Sequence, residues 1–208
     1  MEIFELRHDI VRNNLRFLRL WLQRPVRLGA LVPSGRSLAA AMAAEIDTAA
    51  PGAVVELGGG TGNITAALLD SGTDPRDIVV IEREPSLCRV ISRRFPKIRV
   101  ICGDATKLRG LLRRAGIGPV KAVVSGLPLL AIPKRAESLI VAQAFDVLAN
   151  DGVLIQFTYG LKAPISRSVA SRLDIVGDRS HWVLDNLPPA AVWQYRHRSG
   201  SRDIAGAA

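Results

Sequence analysis

Short apolar runs alternate with stretches of helical periodicity along most of the chain. Runs rich in β-branched residues predict buried strands, whereas apolar positions spaced three and four apart predict helices. Strands that alternate with helices form a mostly parallel sheet with helices on both faces. The pattern therefore predicts an α/β domain whose last two strands form a hairpin, and analogy with other sheets of this kind makes the final strand antiparallel. The seven predicted strands are residues 54–57, 77–82, 98–102, 121–125, 152–159, 181–184 and 191–197.

Helical periodicity predicts the segments between these strands. Ser34 or Ser37 is suited to cap the first helix, Pro85 fits the first turn of the third, and the sequence from Asn150 to Gly152 ends the fifth. The predicted helices are residues 38–46, 64–69, 85–94, 105–114, 133–150 and 169–176.

Residues 2–24 predict a further, amphipathic helix. A broad apolar face carries Phe17 and Trp21, and most charged residues lie on the opposite face. Basic residues outnumber acidic ones in this segment, which is typical of a helix that lies in the headgroup region of an anionic membrane. The alternative is a helix that packs its apolar face on the domain and leaves its arginines in water. The sequence leaves both open, and both can hold at different times.

Composition limits the class of protein. The chain has 208 residues, 48% of them hydrophobic, and a net charge of +9, which predicts a folded domain that meets a polyanion, either nucleic acid or an anionic leaflet. Cys88 and Cys102 have no metal-like spacing, so we expect no metal site and two reduced cysteines in or near the core. No spanning segment or cleaved signal is predicted, so the expected location is the cytoplasm.

The first predicted strand ends in the pattern E-x-G-x-G-x-G, with Glu56 before glycines 58, 60 and 62. A dinucleotide fingerprint would place its third glycine at position 63, where Asn63 stands, and no P-loop pattern occurs. The pattern resembles the first motif of class I S-adenosylmethionine-dependent methyltransferases. That resemblance implies a cofactor site formed by Glu56, Gly58, Gly60, Thr61, Gly62 and Asn63.

Acidic residues also end the second and third predicted strands. Glu82 lies about 20 residues beyond the glycines, where a ribose hydroxyl finds its carboxylate, and Arg83 follows it. Asp104 is predicted to accept from the adenine amine, with Ala105 beside the ring. The alternatives are a Glu82 paired with Arg83 and an Asp104 that caps the helix at 105–114.

Five segments together resemble the bacterial phospholipid N-methyltransferases, which methylate phosphatidylethanolamine toward phosphatidylcholine. They are GALVPS (29–34), ELGGGTG (56–62), GDA (103–105), SGLPL (125–129) and NLPPA (186–190). The resemblance spans nearly the whole chain and implies a Rossmann-like class I fold, S-adenosyl-L-methionine as cofactor and S-adenosyl-L-homocysteine as product. It adds Ser34, Ser125, Gly126 and Leu127 to the cofactor site and implies that residues 2–24 reach the membrane.

An rRNA adenine dimethylase is the nearest alternative, because it shares the core and its RNA would equally suit a basic chain. Enzymes that methylate a base amine resemble one another after the fourth strand, with an Asn or Asp and a stacking aromatic. Here Ser125 and Leu129 stand at those positions. A lipid amine needs no stacking platform, so the sequence favours a lipid substrate over nucleic acid. A third hypothesis is a membrane-binding protein of this fold without catalysis.

The expected chemistry is an in-line displacement in which a deprotonated amine attacks the methyl group of the sulfonium. Ser125 and Tyr159 are predicted to receive or orient the amine, and His181 is a weaker candidate for a general base. Tyr159 has the alternative of half-buried packing. The predicted organisation is a membrane-associating helix at 1–28, a methyltransferase domain at 29–198 and a flexible tail at 199–208. The expected location is the inner face of the cytoplasmic membrane, and the sequence leaves the oligomeric state open.

Overall fold

A seven-stranded sheet forms the centre of the described residues, with strand order β3-β2-β1-β4-β5-β7-β6. The computed structural model describes residues 34–159, 161–186 and 189–198. All strands are parallel except β7, which pairs antiparallel with both of its neighbours. The predicted sheet and its closing hairpin are confirmed. The strands are β1 (Ala53–Leu57), β2 (Ile78–Glu82), β3 (Arg99–Cys102), β4 (Val120–Ser125), β5 (Leu148–Thr158), β6 (Ile175–Val183) and β7 (Ala190–His197).

Helices cover both faces of this sheet, as predicted. One apolar cluster joins the sheet to α1, α2 and α3, and the second joins its other face to α4, α5 and α6. Strand residues such as Val54 and Val123 are fully buried because they lie between two helical layers. The helices are α1 (Ser34–Ala43), α2 (Asn63–Asp70), α3 (Pro85–Arg94), α4 (Leu108–Arg114), α5 (Lys134–Phe145) and α6 (Arg167–Arg172).

Several predicted boundaries in the second half are wrong, among them that of the strand predicted at 181–184, which begins already at Ile175. The predicted helix at 133–150 ends at Phe145, and β5 already begins at Leu148. A register irregularity separates the pair Val120 and Leu148 from the pair Ala122 and Val153. The turn-forming residues 150–152 lie in this bulge within β5 and do not end the strand. The predicted helix at 169–176 ends at Arg172, because Asp174 adopts a positive φ of 49° that stops it.

Smaller corrections concern helix starts and one cysteine. The predicted helix at 105–114 is a 3₁₀ turn, Ala105–Lys107, followed by α4. The first helix begins at Ser34 and ends at Ala43, so Ser37 lies inside it and does not cap it. Cys88 is buried as expected, whereas Cys102 is exposed at the end of the edge strand β3.

The predicted amphipathic helix at 2–24 and the predicted tail at 199–208 lie outside the described residues. Within the part of the chain that is described, every helix is too short or too polar to cross a membrane.

Candidate functional site

The carboxyl ends of four parallel strands lie side by side and bring the predicted cofactor residues to one edge of the sheet. Leu57 of β1 is in register with Ile81 on one side and with Ser125 on the other, and Glu82 is in register with Cys102. Ligands of open α/β sheets bind in the crevice at this edge. The predicted residues gathered there are Glu56, Gly58, Gly60, Thr61, Gly62, Asn63, Glu82, Arg83, Asp104, Ala105, Ser125, Gly126 and Leu127.

The glycine turn between β1 and α2 requires glycine for two different reasons. Gly58, Gly60 and Gly62 have φ values of 78°, 53° and 84°, which other residues adopt only with strain. A Cβ on Gly58 would also lie 2.7 Å from Leu127 Cδ2, whereas a Cβ on Gly60 would have no neighbour nearer than 3.9 Å. The backbone at Gly60 is therefore the open point that a ligand can approach.

The start of α1 lies against this turn. A Cβ on Gly35 would be 3.3 Å from the side-chain nitrogen of Asn63, the first residue of α2. This contact brings the backbone of Ser34, at the beginning of α1, to the same region as the glycine turn. The segment preceding Ser34 lies outside the described residues.

Glu82 holds the glycine turn in place. Its Oε2 accepts the backbone N–H of Gly60 at 2.9 Å, and its Oε1 accepts the N–H of Glu84 at 2.9 Å. In the described part of the chain no ion pair joins Glu82 to Arg83, so the alternative role does not hold there. Each carboxylate oxygen keeps a second lone pair, which can accept a hydroxyl hydrogen from a ligand.

Glu56 lies beneath the turn with its side chain fully buried. The Thr65 hydroxyl donates to its Oε2 at 2.6 Å, and Oε1 has no hydrogen-bond partner in the described residues. Burial raises the pKa of Glu56 to about 8; the Thr65 hydrogen bond opposes that rise and the charge of Glu82 adds to it. Burial therefore favours the neutral form of Glu56.

Asp104 has the capping role that the sequence left open. Its Oδ1 accepts from both the backbone N–H and the hydroxyl of Thr106, each at 2.8 Å. These bonds, the backbone one first, lower its pKa, and the charges of Arg83 and Lys107 lower it further. Both bonds go to Oδ1, so the predicted contact of the other oxygen with an adenine amine stays compatible with the cap.

The loop after β4 touches the glycine turn directly. The N–H of Gly126 donates to Leu57 O at 2.8 Å, and a Cβ on Gly126 would lie 3.1 Å from Gly58 O. Ser125 is fully buried, and its Oγ accepts the N–H of Leu127 at 3.3 Å. The two predicted parts of the site, the cofactor turn and the loop for the acceptor, are thus in contact.

Gln156 is a buried polar residue at this edge that the sequence interpretation missed. It is in register with Ser125, and its Nε2 donates to Leu127 O at 2.9 Å and to Phe157 O at 3.1 Å. Two carbonyl acceptors fix the orientation of the amide, so its oxygen points away from them and has no partner in the described residues. A glutamine within the apolar run 153–157 is the signal that could have found it.

Tyr159 and His181, the other predicted catalytic residues, are separated by β7, which lies between β5 and β6. Tyr159 follows β5 and is hydrogen-bonded to the Asn186 side chain, and burial raises its pKa. Its ring packs edge-on against Phe157 with centroids 5.2 Å apart. His181 lies on β6, and its Nδ1 is 3.0 Å from Glu45 Oε1. Three strand intervals, or about 14 Å, separate β6 from β4. The structure does not bring His181 together with Ser125.

Comparison with known proteins finds a related enzyme. The chain is 32% identical over 145 residues to an ornithine lipid N-methyltransferase of Singulisphaera acidiphila, an alignment that covers 68% of this chain and 76% of that protein. The TrkA-N domain family matches residues 55–155, just under half of the chain.

Solved methyltransferase structures share the fold. A TehB-like S-adenosylmethionine-dependent methyltransferase from Corynebacterium glutamicum superposes with a TM-score of 0.57 at 17% identity, covering 88% of this chain and 97% of that one. The 1,6-didemethyltoxoflavin-N1-methyltransferase of Burkholderia thailandensis gives a TM-score of 0.63 at 13% identity, covering 92% and 90%.

Fold and relationship together define the class. The chain belongs to the class I S-adenosylmethionine-dependent methyltransferases and, within them, to the family of the ornithine lipid N-methyltransferase of S. acidiphila. The predicted fold and methyltransferase class are thereby confirmed, and S-adenosyl-L-methionine is the methyl donor of that class.

Proposed function

We propose that the protein transfers methyl groups from S-adenosyl-L-methionine to the amine of phosphatidylethanolamine and its methylated intermediates, toward phosphatidylcholine. The observation that carries the proposal is the contact between the glycine turn and the loop after β4, where a Cβ on Gly58 would lie 2.7 Å from Leu127. An amine held by that loop would be next to a methyl donor held by the turn. Proximity of this kind supplies much of the rate enhancement in a two-substrate reaction.

The residues present fit the cofactor. The bare backbone at Gly60 and the free lone pairs of Glu82 suit a ribose, and Asp104 suits an adenine amine. The unpartnered Oε1 of Glu56 supplies a second acidic group beneath the turn. S-adenosyl-L-methionine, when bound, supplies an electrophilic methyl group on a sulfonium. The protein's own contribution is to position both reactants and to exclude water.

In this proposal the loop after β4 receives the amine. Gln156 fixes the Leu127 carbonyl through a 2.9 Å hydrogen bond, and Ser125 fixes the N–H of the same residue. Tyr159, held by Asn186 at the end of β5, borders the same edge and orients the amine as a neutral hydroxyl. The amine must lose its proton before it attacks, and an apolar surrounding favours that loss.

The burial of Leu129 favours a lipid amine over a nucleobase. Leu129 follows the Ser-Gly-Leu-Pro segment and is only 2% exposed, so it offers no surface on which a flipped base could stack. An rRNA adenine is the alternative that this observation disfavours. The amine of an ornithine lipid is a second candidate within the lipid class, because the related enzyme of S. acidiphila carries that name.

The proposal includes a location. A net charge of +9 favours an anionic surface, and residues 2–24 are the proposed amphipathic helix that holds the protein at the inner face of the cytoplasmic membrane. The decisive experiment incubates the protein with methyl-labelled cofactor and vesicles of phosphatidylethanolamine, and it separates the lipid products by thin-layer chromatography. The proposal predicts labelled mono-, di- or trimethylated phosphatidylethanolamine, and no labelled lipid despite intact cofactor binding would refute it.

A further inference from the structure

Two exposed leucines project from the edge of the sheet that carries the site. Leu161 and Leu184 have 61% and 74% of their surface exposed, and they follow β5 and β6 respectively. These strands are parallel with β7 between them, so their carboxyl ends lie at the same edge, about 10 Å apart. Among the described residues only two other large hydrophobic side chains are exposed, Val90 and Leu139, and both are on helices.

The surroundings of the two leucines are charged and amphipathic, and they include an exposed acid, Asp185, directly after Leu184. Lys162 is exposed next to Leu161, and Arg135 is exposed at the start of α5, which follows the loop after β4. Trp182 precedes Leu184 by two residues, is partly buried and has the Arg179 guanidinium 5.0 Å from its ring. In the described residues no ion pair engages Arg135 or Lys162. Apolar tips beside a tryptophan, with two basic side chains against one acid, match the boundary of an anionic bilayer.

The reaction fixes which side of the protein meets the lipid. An amine on a lipid headgroup stays within a short reach of the bilayer surface, so the loop after β4 must face the bilayer for transfer to occur. Leu161 and Leu184 lie on that same edge. Exposure to water of a large apolar side chain is unfavourable, and its transfer into the acyl boundary would recover that free energy.

We infer that Leu161 and Leu184 form a membrane-insertion rim, with Lys162 and Arg135 on the headgroups, and that this rim aims the site at the bilayer. The inference rests on the proposed function and places a second membrane contact in the catalytic domain, separate from residues 2–24. The rim binds a bilayer that contains anionic lipid.

Site-specific fluorescence tests the rim directly. The full chain with Cys102→Ser carries one new cysteine, at Leu184→Cys or at the control Val90→Cys on α3, labelled with an environment-sensitive dye; Cys88 is buried. With vesicles of equal parts phosphatidylethanolamine and phosphatidylglycerol, we expect a blue shift and quenching by brominated acyl chains at position 184 and neither at position 90. A bound protein whose dye at 184 does not respond overturns the inference, as does a response at 184 without vesicles at higher protein concentration. Failure of the wild-type chain to bind these vesicles also overturns it.

Activity separates the rim from the proposed function. The Leu161→Ser/Leu184→Ser variant should lose about tenfold or more of its rate on vesicles, since two leucines no longer leave water, yet keep its rate on a monomeric short-chain lipid. The matched control, Val90→Ser/Leu139→Ser, should keep both rates. Equal loss in the control overturns the rim while leaving the proposed function intact. Absence of methylated lipid from the wild-type chain in either presentation refutes the proposed function, whatever the dye at 184 reports.

Discussion

The Thr65 hydroxyl donates a 2.6 Å hydrogen bond to Oε2 of the fully buried Glu56. This bond links the first turn of α2 to β1 beneath the glycine turn. Burial disfavours the charged form of Glu56 and raises its pKa to about 8, and the Thr65 hydrogen bond opposes that rise. Glu56 therefore lowers the stability of the folded state at alkaline pH. We interpret this cost as one that the site bears in order to bind its ligand.

Replacing Glu56 by Gln removes the titration without changing the shape of the side chain. Between the unfolded pKa of 4.5 and the folded pKa of about 8 the folded state keeps a proton that the unfolded state has lost, so stability falls as pH rises through this window. We expect Glu56→Gln to be more stable than wild type at pH 8 by more than about 1 kcal/mol. Chemical unfolding at a series of pH values measures this.

The same variant should bind S-adenosyl-L-methionine more weakly, because the cationic ligand loses an acid that can ionise beneath it. Calorimetry on wild type and Glu56→Gln provides the comparison. Asp70→Asn, at the other end of α2, serves as the control and should change neither quantity. Unchanged pH dependence in Glu56→Gln would show that Glu56 does not titrate in this range.

Glu82 and the neighbouring Glu84 provide a matched pair for the cofactor site. Glu82→Gln has one side-chain oxygen for the two backbone N–H groups of Gly60 and Glu84. Its amide N–H₂ would face the second of these N–H groups, so the hydrogen bond that holds the turn at Gly60 is weakened or lost. A charge-assisted hydrogen bond of this kind corresponds to about tenfold in affinity or more. Glu84 only caps α3 through Ser86, so Glu84→Gln should leave the Kd for the cofactor unchanged. Equal effects of the two changes would contradict the assignment.

Gln156 should affect turnover more than stability. Gln156→Leu deprives Leu127 O of its donor but also removes the unpartnered buried amide oxygen, so the two effects on the free energy of unfolding partly cancel. A displaced loop after β4 should lower kcat by about tenfold to a hundredfold, with the Kd for the cofactor unchanged. Gln143→Leu, on α5, is the control. A Gln156→Leu enzyme with normal kcat would remove this residue from the site.

Tyr159 and His181 are expected to differ in mutagenesis. Loss of a general base lowers rates by about a hundredfold or more. His181 pairs with Glu45 and lies three strands from β4, so His181→Asn should keep kcat within a few-fold of wild type. Tyr159→Phe loses the hydroxyl that Asn186 holds and should lower kcat, with a smaller change in stability. A hundredfold loss in His181→Asn would restore the histidine as the base.

The sequence was sufficient to predict the sheet because β-branched runs and glycines act locally. The turn from Gly58 to Gly62, the strand that ends at Glu82 and the helix at 85–94 are all predicted, and all are observed. The boundary at 145–148 failed because Val147 and Leu148 fit a helix and a strand equally well. Pairing with Val120 of β4 decides it, and that is a contact distant in sequence.

Site geometry depended still more on distant contacts. Gln156 was missed because its partner is the carbonyl of Leu127, 29 residues away, which no local pattern shows. His181 is a weaker candidate because it is a histidine near a strand, and the strand order places it beside Glu45 and away from Ser125. Residue type thus indicated chemistry, and topology decided which residues meet.

The central claim is that the methyl group ends on a lipid amine, and one competition measures it most directly. The full chain receives methyl-labelled S-adenosyl-L-methionine in a single tube with ribosomal RNA and vesicles that contain phosphatidylethanolamine and an ornithine lipid, and the products are separated by phase extraction and thin-layer chromatography. We predict label in the organic phase, on phosphatidylethanolamine first. Label on the ornithine lipid alone would support a lipid N-methyltransferase but exclude phosphatidylethanolamine as its substrate. Label that stays with the RNA would contradict the account.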